Sequence, residues 1–361
     1  MPWWRGIVTF PLQESFFDMR NPAVLASSTL VIALCAACGG SSSTNDTSSD
    51  DGGGGGGTTD APTGTDAHAG DGMAQGTPDG GGGGMHMTVS TLLFTVVGDT
   101  RPANANDIAG YPTAIIDKIY EDIAALNPLP FFSVSTGDFQ YSTRSGGYAA
   151  PQLDIYLAAR AKFSGQFFPA MGNHECTGAT DSNCGPGNKN GETDNYNQFM
   201  TKMLGPIQQT KPYYSVNVDA TDGSWTAKFV FIAANAWDSG QQTWLQQTMA
   251  QKTTYTFVVR HEASDATDAP GVTPSDAILK ANPYTLLILG HSHTVSRPSL
   301  NQVLFGNGGA PLSSTSVDYG YGLFKQQSNG SIHVDSIDYM TNMPDPSFLA
   351  FAVNPNGTLA Q

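Results

Sequence analysis

Five short segments of the chain end in side chains that bind metal ions or transfer protons. Each follows directly on a run of apolar, β-branched or aromatic residues. The candidates are Asp99; Asp138 with Tyr141; Asn173 with His174; His261; and His291 with His293. Two cations about 3.5–4 Å apart need a shared carboxylate, together with oxygen and imidazole ligands that converge from several directions. The recurrence of these residue types therefore predicts a site for two metal ions.

The apolar runs before these residues predict the strands that position them. They cover residues 91–97, 131–136, 166–171, 255–259 and 284–289. Short runs of this composition are typical of buried strands, and an α/β sheet brings the loops at the carboxyl ends of its strands together. Glycine precedes several of the candidates, as at Gly98 and Gly172, where it allows a sharp turn and a close approach of the backbone.

The rest of the C-terminal region alternates between helical and strand-like patterns. Helices are predicted at residues 111–126, 151–163, 193–204, 243–251 and 274–281. Further strands are predicted at residues 213–218, 228–234, 302–305, 321–326 and 331–337. This alternation predicts one large α/β domain, and its number of strands is consistent with two packed sheets.

The ordered set of motifs resembles the calcineurin-like metallophosphoesterase superfamily, over about residues 91–310. That superfamily has Asp-x-His, Gly-Asp, Gly-Asn-His-Glu or -Asp, a single His and Gly-His-x-His in this order. The last four elements are present at Gly137-Asp138, Gly172-Asn173-His174-Glu175, His261 and Gly290-His291-Ser292-His293. The first element departs from the pattern, because Arg101 stands where a ligating histidine is usual and a guanidinium has no lone pair for a metal.

Within the superfamily, the chain most resembles the purple acid phosphatase branch. That branch has Gly-Asp-x-x-Tyr, in which the tyrosine binds one metal, and residues 137–141 match it. The resemblance implies a four-layer α/β/β/α sandwich with a single catalytic domain. It assigns Asp99, Tyr141 and His293 to a first metal, Asn173, His261 and His291 to a second, and Asp138 as the bridge. Because a phenolate favours ferric iron, the implied metals are iron paired with iron, zinc or manganese.

The resemblance also implies a hydrolytic mechanism. Metal-bound hydroxide attacks phosphorus in line with the leaving group, and His174 protonates or hydrogen-bonds the departing oxygen. Arg101, which is not a ligand, is a candidate clamp for a phosphate oxygen. Two alternatives remain open from the sequence: Tyr141 as a packing residue, and Arg101 as a surface or salt-bridge arginine.

The predicted function is hydrolysis of phosphoric esters, with monoesters as the preferred class. A phosphodiesterase with the same metal geometry is the alternative among enzymes, since only the walls of the pocket distinguish the two ester types. A non-catalytic, metal-binding lipoprotein is the alternative from another class. The glycine-rich segment 306–310 is interpreted as a tight turn, because it lacks the lysine and the spacing of a nucleotide-binding loop.

The N-terminal region resembles a bacterial lipoprotein signal. Met19 and Arg20 precede an apolar stretch and small residues that end at Cys38, the expected lipidation site, although Cys35 occupies a position that is usually aliphatic. The expected signal peptide covers residues 1–38 of the given sequence. Because Met19 begins a complete signal, translation is expected to begin there. A transmembrane anchor is the alternative, but fewer than 18 uninterrupted apolar residues favour the signal. The expected location is an exported, membrane-anchored protein that faces the periplasm or the cell surface.

Residues 39–88 are mostly Gly, Ser, Thr, Asp and Ala, a composition that predicts a flexible tether ahead of a domain at residues 89–361. The net charge is −15, from 31 acidic and 16 basic residues. Nine acidic and two basic residues precede residue 90, which leaves 22 and 14, a net charge of −8, for the domain. Because the domain is acidic, it is not expected to bind a nucleic acid. A small phosphorylated substrate is the expected partner.

Cys176 and Cys184 lie immediately after the Asn-His motif. In an exported protein this pair is expected to form a disulfide that closes a small loop. A pair of soft metal ligands is the alternative. A disulfide here would stiffen the segment that carries Asn173 and His174.

Overall fold

The structure is a computed structural model that describes residues 85–144, 147–315 and 317–361. The expected signal at 1–38, the lipidation site Cys38 and all but the end of the expected tether lie outside the described residues. Within these ranges the strands are β1 Met85–Val89, β2 Leu93–Val96, β3 Phe132–Ser135, β4 Gln166–Pro169, β5 Tyr214–Ala220, β6 Thr226–Ile232, β7 Tyr255–Arg260, β8 Leu286–Leu289, β9 Val295–Ser299, β10 Gln302–Phe305, β11 Gly320–Gln326, β12 Ile332–Asp338, β13 Met343–Pro344 and β14 Phe351–Val353.

The same ranges contain five α-helices: α1 Thr113–Ala124, α2 Ala149–Arg160, α3 Asp194–Gln198, α4 Ser239–Ala250 and α5 Val272–Ala281. The helix predicted at residues 193–204 begins as α3 and continues as the π-helix Phe199–Leu204. Two short 3₁₀ helices follow at Gly205–Ile207 and Ala234–Ala236. No helix in the described part of the chain is long and apolar enough to span a membrane.

The strands form two sheets of mixed direction. The first has the order β1-β5-β6-β7-β8-β10-β9, and β6, β7, β8 and β10 run parallel in it. The second has the order β13-β12-β11-β2-β3-β4, with β14 paired to β12, and β2, β3 and β4 run parallel in it. Each sheet therefore supplies a set of parallel strands whose carboxyl ends lie side by side.

The two sheets pack face to face through aromatic side chains. Phe94 of β2 contacts Phe229 of β6 and Phe257 of β7, with ring centroids 5.0 and 5.3 Å apart. On the outer face of the first sheet, α4 and α5 bury Leu245 and Ile278 against β6, β7 and β8. On the second sheet, α1 and α2 pack over β2, β3 and β4. The architecture is the expected four-layer sandwich in a single metallophosphoesterase domain.

The elements that the sequence analysis missed lie at the edges of the sheets. Residues of β1 pair in parallel with β5 from Met85 onward, so the domain begins at least four residues before the expected boundary at residue 89. β9, β13 and β14 are edge strands that are short or contain proline, which weakens their alternating pattern. α4 begins four residues before its predicted start, because the Asp238 carboxylate caps it by accepting from the Gln241 N–H at 2.6 Å.

Candidate metal centre

The loops at the carboxyl ends of five parallel strands meet at one edge of the sandwich. Asp99, Asp138 and Asn173 follow β2, β3 and β4 of the second sheet, while His261 and His291 follow β7 and β8 of the first. Asp99, Asp138 and His261 are buried, and their ligand atoms all lie within 4.8 Å of one another. The structure thus brings together the side chains that the motifs singled out.

The three side chains that the resemblance assigns to a second metal face one another closely. The Oδ1 atom of Asn173 lies 3.2 Å from His261 Nε2 and 3.1 Å from His291 Nδ1, and the two nitrogens are 3.2 Å apart. His261 Nδ1 lies 2.9 Å from the carbonyl oxygen of Thr136, to which it donates, so Nε2 of a neutral ring carries the lone pair. The Asn173 amide nitrogen donates to the Gly178 carbonyl oxygen, which turns its oxygen toward the histidines. Lone pairs arranged in this way fit a cation.

Asp99 and His293, which the resemblance assigns to a first metal, lie next to each other. His293 Nε2 is 3.6 Å from Asp99 Oδ1, and His293 Nδ1 is 2.9 Å from the Pro311 carbonyl oxygen. Asp138 Oδ2 lies 3.3 Å from His261 Nε2, where a bridging carboxylate is expected. Oxygen and imidazole donors in this mixture suit zinc, manganese or iron, so the residues present fit the metals that the resemblance implied.

The electrostatics of the buried groups favour positive charge between them. Burial raises the pKa of Asp99 well above its ordinary value. Burial also disfavours ionised Asp138, but His261, His174 and Arg101 outweigh it and hold the pKa of Asp138 well below its ordinary value. Burial alone would lower the pKa of His261, yet Asp138 and Asp99 raise it well above its ordinary value. The two carboxylates therefore draw a cation into this space, which is the charge that a metal ion supplies.

Four of the candidate ligands have a left-handed backbone conformation. The φ angles of Asp99, Asp138, His291 and His293 are 56°, 59°, 73° and 47°. This region is uncommon for residues other than glycine, and such strain concentrates at functional sites. The motif glycines allow close packing around these residues, since a Cβ at Gly172 would lie 2.3 Å from Asp138 Oδ1 and one at Gly290 would lie 2.6 Å from Asp99 Oδ2.

Glu175 holds two of the ligand loops together, a role that the sequence analysis did not assign. Its buried carboxylate accepts from three backbone N–H groups, those of Asp138 at 2.9 Å, Phe139 at 2.9 Å and Gly172 at 2.8 Å. Burial raises the pKa of Glu175 to about 7, and the nearby charge of Asp138 acts in the same direction. The Gly-Asn-His-Glu motif contains this residue, but no local pattern indicates which backbone groups it binds.

The glycine-rich turn at residues 306–310 supports Asp99 from the other side. The Gly308 N–H donates to the Gly98 carbonyl oxygen at 2.8 Å, and the Ala310 N–H donates to that of Asp99 at 2.7 Å. A Cβ at Gly306 would lie 2.9 Å from Asp99 Oδ2. The segment is a turn, as interpreted, and it packs directly against a candidate ligand.

A buried arginine anchors the strand end that carries His261. Arg260 donates to the Glu262 carbonyl oxygen at 2.8 Å, to Ser275 Oγ at 2.7 Å and to Asp276 Oδ1 at 2.7 Å. Ser275 and Asp276 belong to α5, so these bonds tie β7 to that helix. The neighbour of His261 is thus fixed on several sides.

His174 and Tyr141 line the centre on the side of Asp138. His174 Nε2 lies 3.8 Å from Asp138 Oδ2, and the rings of His174 and Tyr141 meet edge to face with centroids 4.4 Å apart. Burial lowers the pKa of His174 to about 4, which argues against the expected role in which this ring protonates the departing oxygen. The neutral ring can still donate a hydrogen bond. Tyr141 lies beside the centre, so both its expected roles, ligand and packing residue, remain compatible with its place.

Arg101 lies inside the centre and not on the surface. Its Nη2 atom is 3.2 Å from His293 Nε2, its Nε atom is 3.7 Å from Asp138 Oδ2, and its guanidinium carbon is 4.8 Å from the centre of the Tyr141 ring. Arg101 Nε is buried and has no hydrogen-bond partner. The alternative of a surface arginine is therefore wrong, whereas an ionic contact with Asp138 is present.

Cys176 and Cys184 form a disulfide, with Cα atoms 5.6 Å apart. This confirms the expected pairing and excludes their role as metal ligands. The Cys184 N–H donates to the Asn235 carbonyl oxygen at 2.8 Å, so the closed loop is also tied to the 3₁₀ helix after β6. The loop includes Gly178, whose carbonyl oxygen orients Asn173.

Comparison with known proteins agrees with the motifs. A model of the family described as calcineurin-like phosphoesterase matches residues 92–295, more than half of the chain. No curated protein sequence matches significantly.

Solved structures with a fold similar to that of this chain include the following two. GAP50, the anchor in the inner membrane complex of Plasmodium, has a TM-score of 0.52 and 15% identity, over 76% of this chain and 90% of its own. The purple acid phosphatase PPD1 of yellow lupin (Lupinus luteus) has a TM-score of 0.51 and 14% identity, over 73% of this chain and 54% of its own. This chain thus corresponds to about half of the plant protein, and at these identities the likeness concerns the fold alone.

Proposed function

The chain belongs to the calcineurin-like phosphoesterase family, and on that premise we propose that it hydrolyses small phosphoric monoesters with the help of two metal ions. The family implies a dinuclear metal site, and the buried Asp99, Asp138 and His261 provide a possible one. In the proposal, Asp99, Tyr141 and His293 hold the first ion, while Asn173, His261 and His291 hold the second, with Asp138 shared. Iron with iron, zinc or manganese is the proposed pair.

One observation carries the proposal: Asn173 Oδ1, His261 Nε2 and His291 Nδ1 lie 3.1–3.2 Å from one another, next to Asp138. Acceptor atoms placed so closely repel each other unless a cation or a proton lies among them. Hydrogen bonds to the backbone carbonyl oxygens of Gly178 and Thr136 orient the side chains of Asn173 and His261. When bound, the ions supply an activated water that attacks phosphorus in line with the leaving group.

Two residues of the chain act on the substrate in this proposal. His174 is next to the ligand Asn173, and its neutral ring donates a hydrogen bond to the departing oxygen. Arg101 offers a planar fork of donors to a phosphate oxygen, and its Nε has no hydrogen-bond partner to lose. Both side chains lie within 4 Å of Asp138, so they converge on the same side of the centre.

Removal of the ions tests the activity itself. The full chain should hydrolyse an aryl phosphate, lose activity after dialysis against a chelator and recover it when iron, zinc or manganese is returned. Asn173→Ala should bind less metal and lose turnover, because it removes a ligand oxygen. Asn197→Ala, an exposed asparagine in α3, is the matched control and should behave as the original protein. Equal hydrolysis with and without metal would refute the proposal.

The ester class is tested by comparing an aryl phosphate with a bis-aryl phosphate on the same preparation. We expect the monoester to be hydrolysed faster, since its extra negative charge interacts more strongly with Arg101 and the metals. Faster turnover of the diester would favour the phosphodiesterase alternative. In that case Arg101→Ala should affect the two substrates alike.

A visible spectrum tests the assignment of Tyr141. A ferric ion bound to a phenolate absorbs in the visible range, so iron-loaded protein should be coloured and Tyr141→Phe should lose the band. Tyr148→Phe, a partly exposed tyrosine at the start of α2, is the control. Two zinc or manganese ions without such a band would place the protein in the wider family and outside the purple acid phosphatase branch.

A non-catalytic role remains the second candidate. The similar fold of GAP50, an anchor by its description, shows that this architecture does not by itself decide the function. His174 argues for catalysis, because a protein that only bound metal would not need a hydrogen-bond donor for substrate beside its ligands. Absence of hydrolysis across a broad panel of phosphoesters, with both ions bound, would favour the non-catalytic role.

We also propose that the protein is exported and held at a membrane by a lipid on Cys38. The disulfide Cys176–Cys184 supports export, because such bonds persist in oxidising compartments. Labelling with a radioactive fatty acid should mark the original chain but not Cys38→Ser. Labelling of both proteins alike would contradict the assignment.

A further inference from the structure

Arg101 forms a hydrogen bond with His293 Nε2, the nitrogen through which His293 would bind a metal ion. His293 Nδ1 lies 2.9 Å from the Pro311 carbonyl oxygen and must carry a proton to bond to it. In the neutral ring, Nε2 then holds the only lone pair. Arg101 Nη2 lies 3.2 Å from that nitrogen, and a guanidinium group can only donate. The arginine therefore occupies the lone pair through which His293 would bind the first ion.

The guanidinium also contacts the other groups around the first position. Its Nε is 3.7 Å from Asp138 Oδ2, the carboxylate assigned as the bridge, and its carbon is 4.8 Å from the centre of the Tyr141 ring. The side chain of Arg101 is only 14% exposed, so it is packed against these groups and is largely shielded from solvent. A fixed positive charge thus lies among three of the groups assigned to the first ion.

The second position is arranged differently. Asn173 Oδ1, His261 Nε2 and His291 Nδ1 face one another at 3.1–3.2 Å. Among the described residues, no arginine is hydrogen-bonded to these three atoms, so an ion that binds there displaces no guanidinium group from a histidine nitrogen. The two positions consequently differ in what a metal must displace.

We propose that Arg101 competes with the metal ion for the first position, so that the two positions bind with unequal affinity and fill in order, the second before the first. This inference rests on the ligand assignment of the proposed function. An ion that enters the first position must break the Arg101–His293 hydrogen bond and tolerate or expel a positive charge close to Asp138. The arginine displaced from His293 is then free to bind a phosphate oxygen. Binding of the first metal ion therefore also releases the guanidinium group that binds the substrate phosphate.

Titration with Zn²⁺ tests the order of filling. The untagged full chain, freed of metal, is titrated in competition with a chelating dye, and the bound zinc is counted by elemental analysis. We expect two unequal dissociation constants. Arg101→Ala should tighten the weaker constant about tenfold or more, the scale of one charge-assisted hydrogen bond, and leave the tighter one within about twofold.

A second variant locates the weaker constant. His293→Ala should abolish it, and Arg101→Ala in that background should change nothing further, because the two residues act on the same position. Arg144→Ala, which removes an exposed arginine from the loop after Tyr141, is the control for loss of one positive charge. Thermal unfolding of each metal-free variant verifies that it is folded.

The proposed competition is refuted if Arg101→Ala leaves the larger zinc dissociation constant unchanged or increases it. It is also refuted if the original protein binds two zinc ions with equal affinity. Binding of one zinc by the original chain and two by Arg101→Ala is the strong form of the expected result. Failure of the proposed function would show itself separately, as lack of hydrolysis by protein that holds both ions, and would leave the zinc constants as measured.

Discussion

The backbone of the candidate ligands carries strain that their neighbours must offset. Left-handed φ angles at Asp99, Asp138, His291 and His293 cost about 1–3 kcal/mol each. The Asp99 carboxylate accepts the N–H of His291 at 2.9 Å, and the Asp138 carboxylate accepts that of His174 at 3.0 Å. The ligands thus stabilise each other's loops as well as offering oxygen atoms to metals. A substitution at one of them is expected to disturb more than a single coordination bond.

His174→Ala should separate catalysis from metal binding. The substitution keeps the backbone N–H that binds Asp138 and removes only the ring. Turnover of an aryl phosphate should fall by about 10²–10³-fold, the usual loss of one positioned hydrogen-bond donor to developing negative charge, while the zinc or iron content stays the same. His333→Ala, in β12, is the control. Loss of metal from His174→Ala would identify His174 as a ligand and contradict its proposed role.

Glu175→Gln should weaken the hydrogen bonds that hold the Asp138 loop, without replacing a candidate metal ligand. The amide of glutamine places N–H groups where one carboxylate oxygen now accepts from the backbone, so a donor faces a donor. We expect a loss of about 1–3 kcal/mol in the free energy of unfolding, and weaker zinc binding. Urea titration and the dye competition measure the two effects. Glu192→Gln, an exposed glutamate, should show neither, and full stability of Glu175→Gln would contradict this role.

The sequence sufficed to name most of the side chains at the centre but not what fixes them. Residue types and order identified Asp138, Asn173 and the three histidines, because metals need those functional groups. The contacts of Glu175 and Arg101 depend on which loops meet after folding. Burial also changed the chemistry expected from the sequence, since it lowers the pKa of His174 to about 4. No local sequence pattern predicts these contacts or this burial, because both depend on segments that are far apart in the chain.

The elements that carry the centre follow from local patterns where both faces are buried. β2, β3, β4, β7 and β8 are short apolar runs that end near a glycine or a ligand, and their predicted ranges agree with the structure within a few residues. Edge strands such as β9 face solvent in part and lose this signal. The start of α4 was misplaced because Gly240 lowers the helix propensity of its first turn, whereas Asp238 caps it.

The disulfide loop should contribute both to stability and to the second metal position. Closure of a loop this short stabilises a protein by about 2–3 kcal/mol. It also holds Gly178, whose carbonyl oxygen orients the Asn173 amide. We therefore expect the double variant Cys176→Ala, Cys184→Ala to unfold at lower urea concentration and to bind zinc more weakly at its tighter constant.

Two measurements check this account of the loop. Thiol titration of the exported original protein should find neither Cys176 nor Cys184 free, and two free thiols would contradict the bond. Asn173→Ala combined with the double cysteine variant should lose little further zinc affinity, because both changes act on the same ligand. Additive losses would mean that the loop does not act through Asn173.

The candidate metal centre takes its side chains from both sheets of the domain. Asp99, Asp138 and Asn173 come from one sheet, and His261 and His291 from the other. The candidate centre therefore forms only where the two sheets pack together. The aromatic core between the sheets stabilises that packing, while the loops at the strand ends hold the candidate ligands in place.

Phe94→Ala tests this core. The Phe94 ring lies between both sheets, with centroids 5.3 Å from Phe132, 5.0 Å from Phe229, 5.3 Å from Phe257 and 4.6 Å from Phe324. Its removal leaves a cavity that close-packed neighbours cannot fill, so the free energy of unfolding should fall by about 3–5 kcal/mol in urea titration. Phe94→Leu keeps most of the volume and should lose much less.

Metal binding by the folded Phe94 variants is a separate measurement. At urea concentrations below the unfolding transition, both variants should still bind two metal ions per folded chain, because hydrogen bonds within the loops at the strand ends hold the candidate ligands. An Ala variant as stable as the original would mean that the sheets are held together elsewhere, and loss of one metal ion from folded Phe94→Ala would mean that the core directly controls the spacing of the ligands.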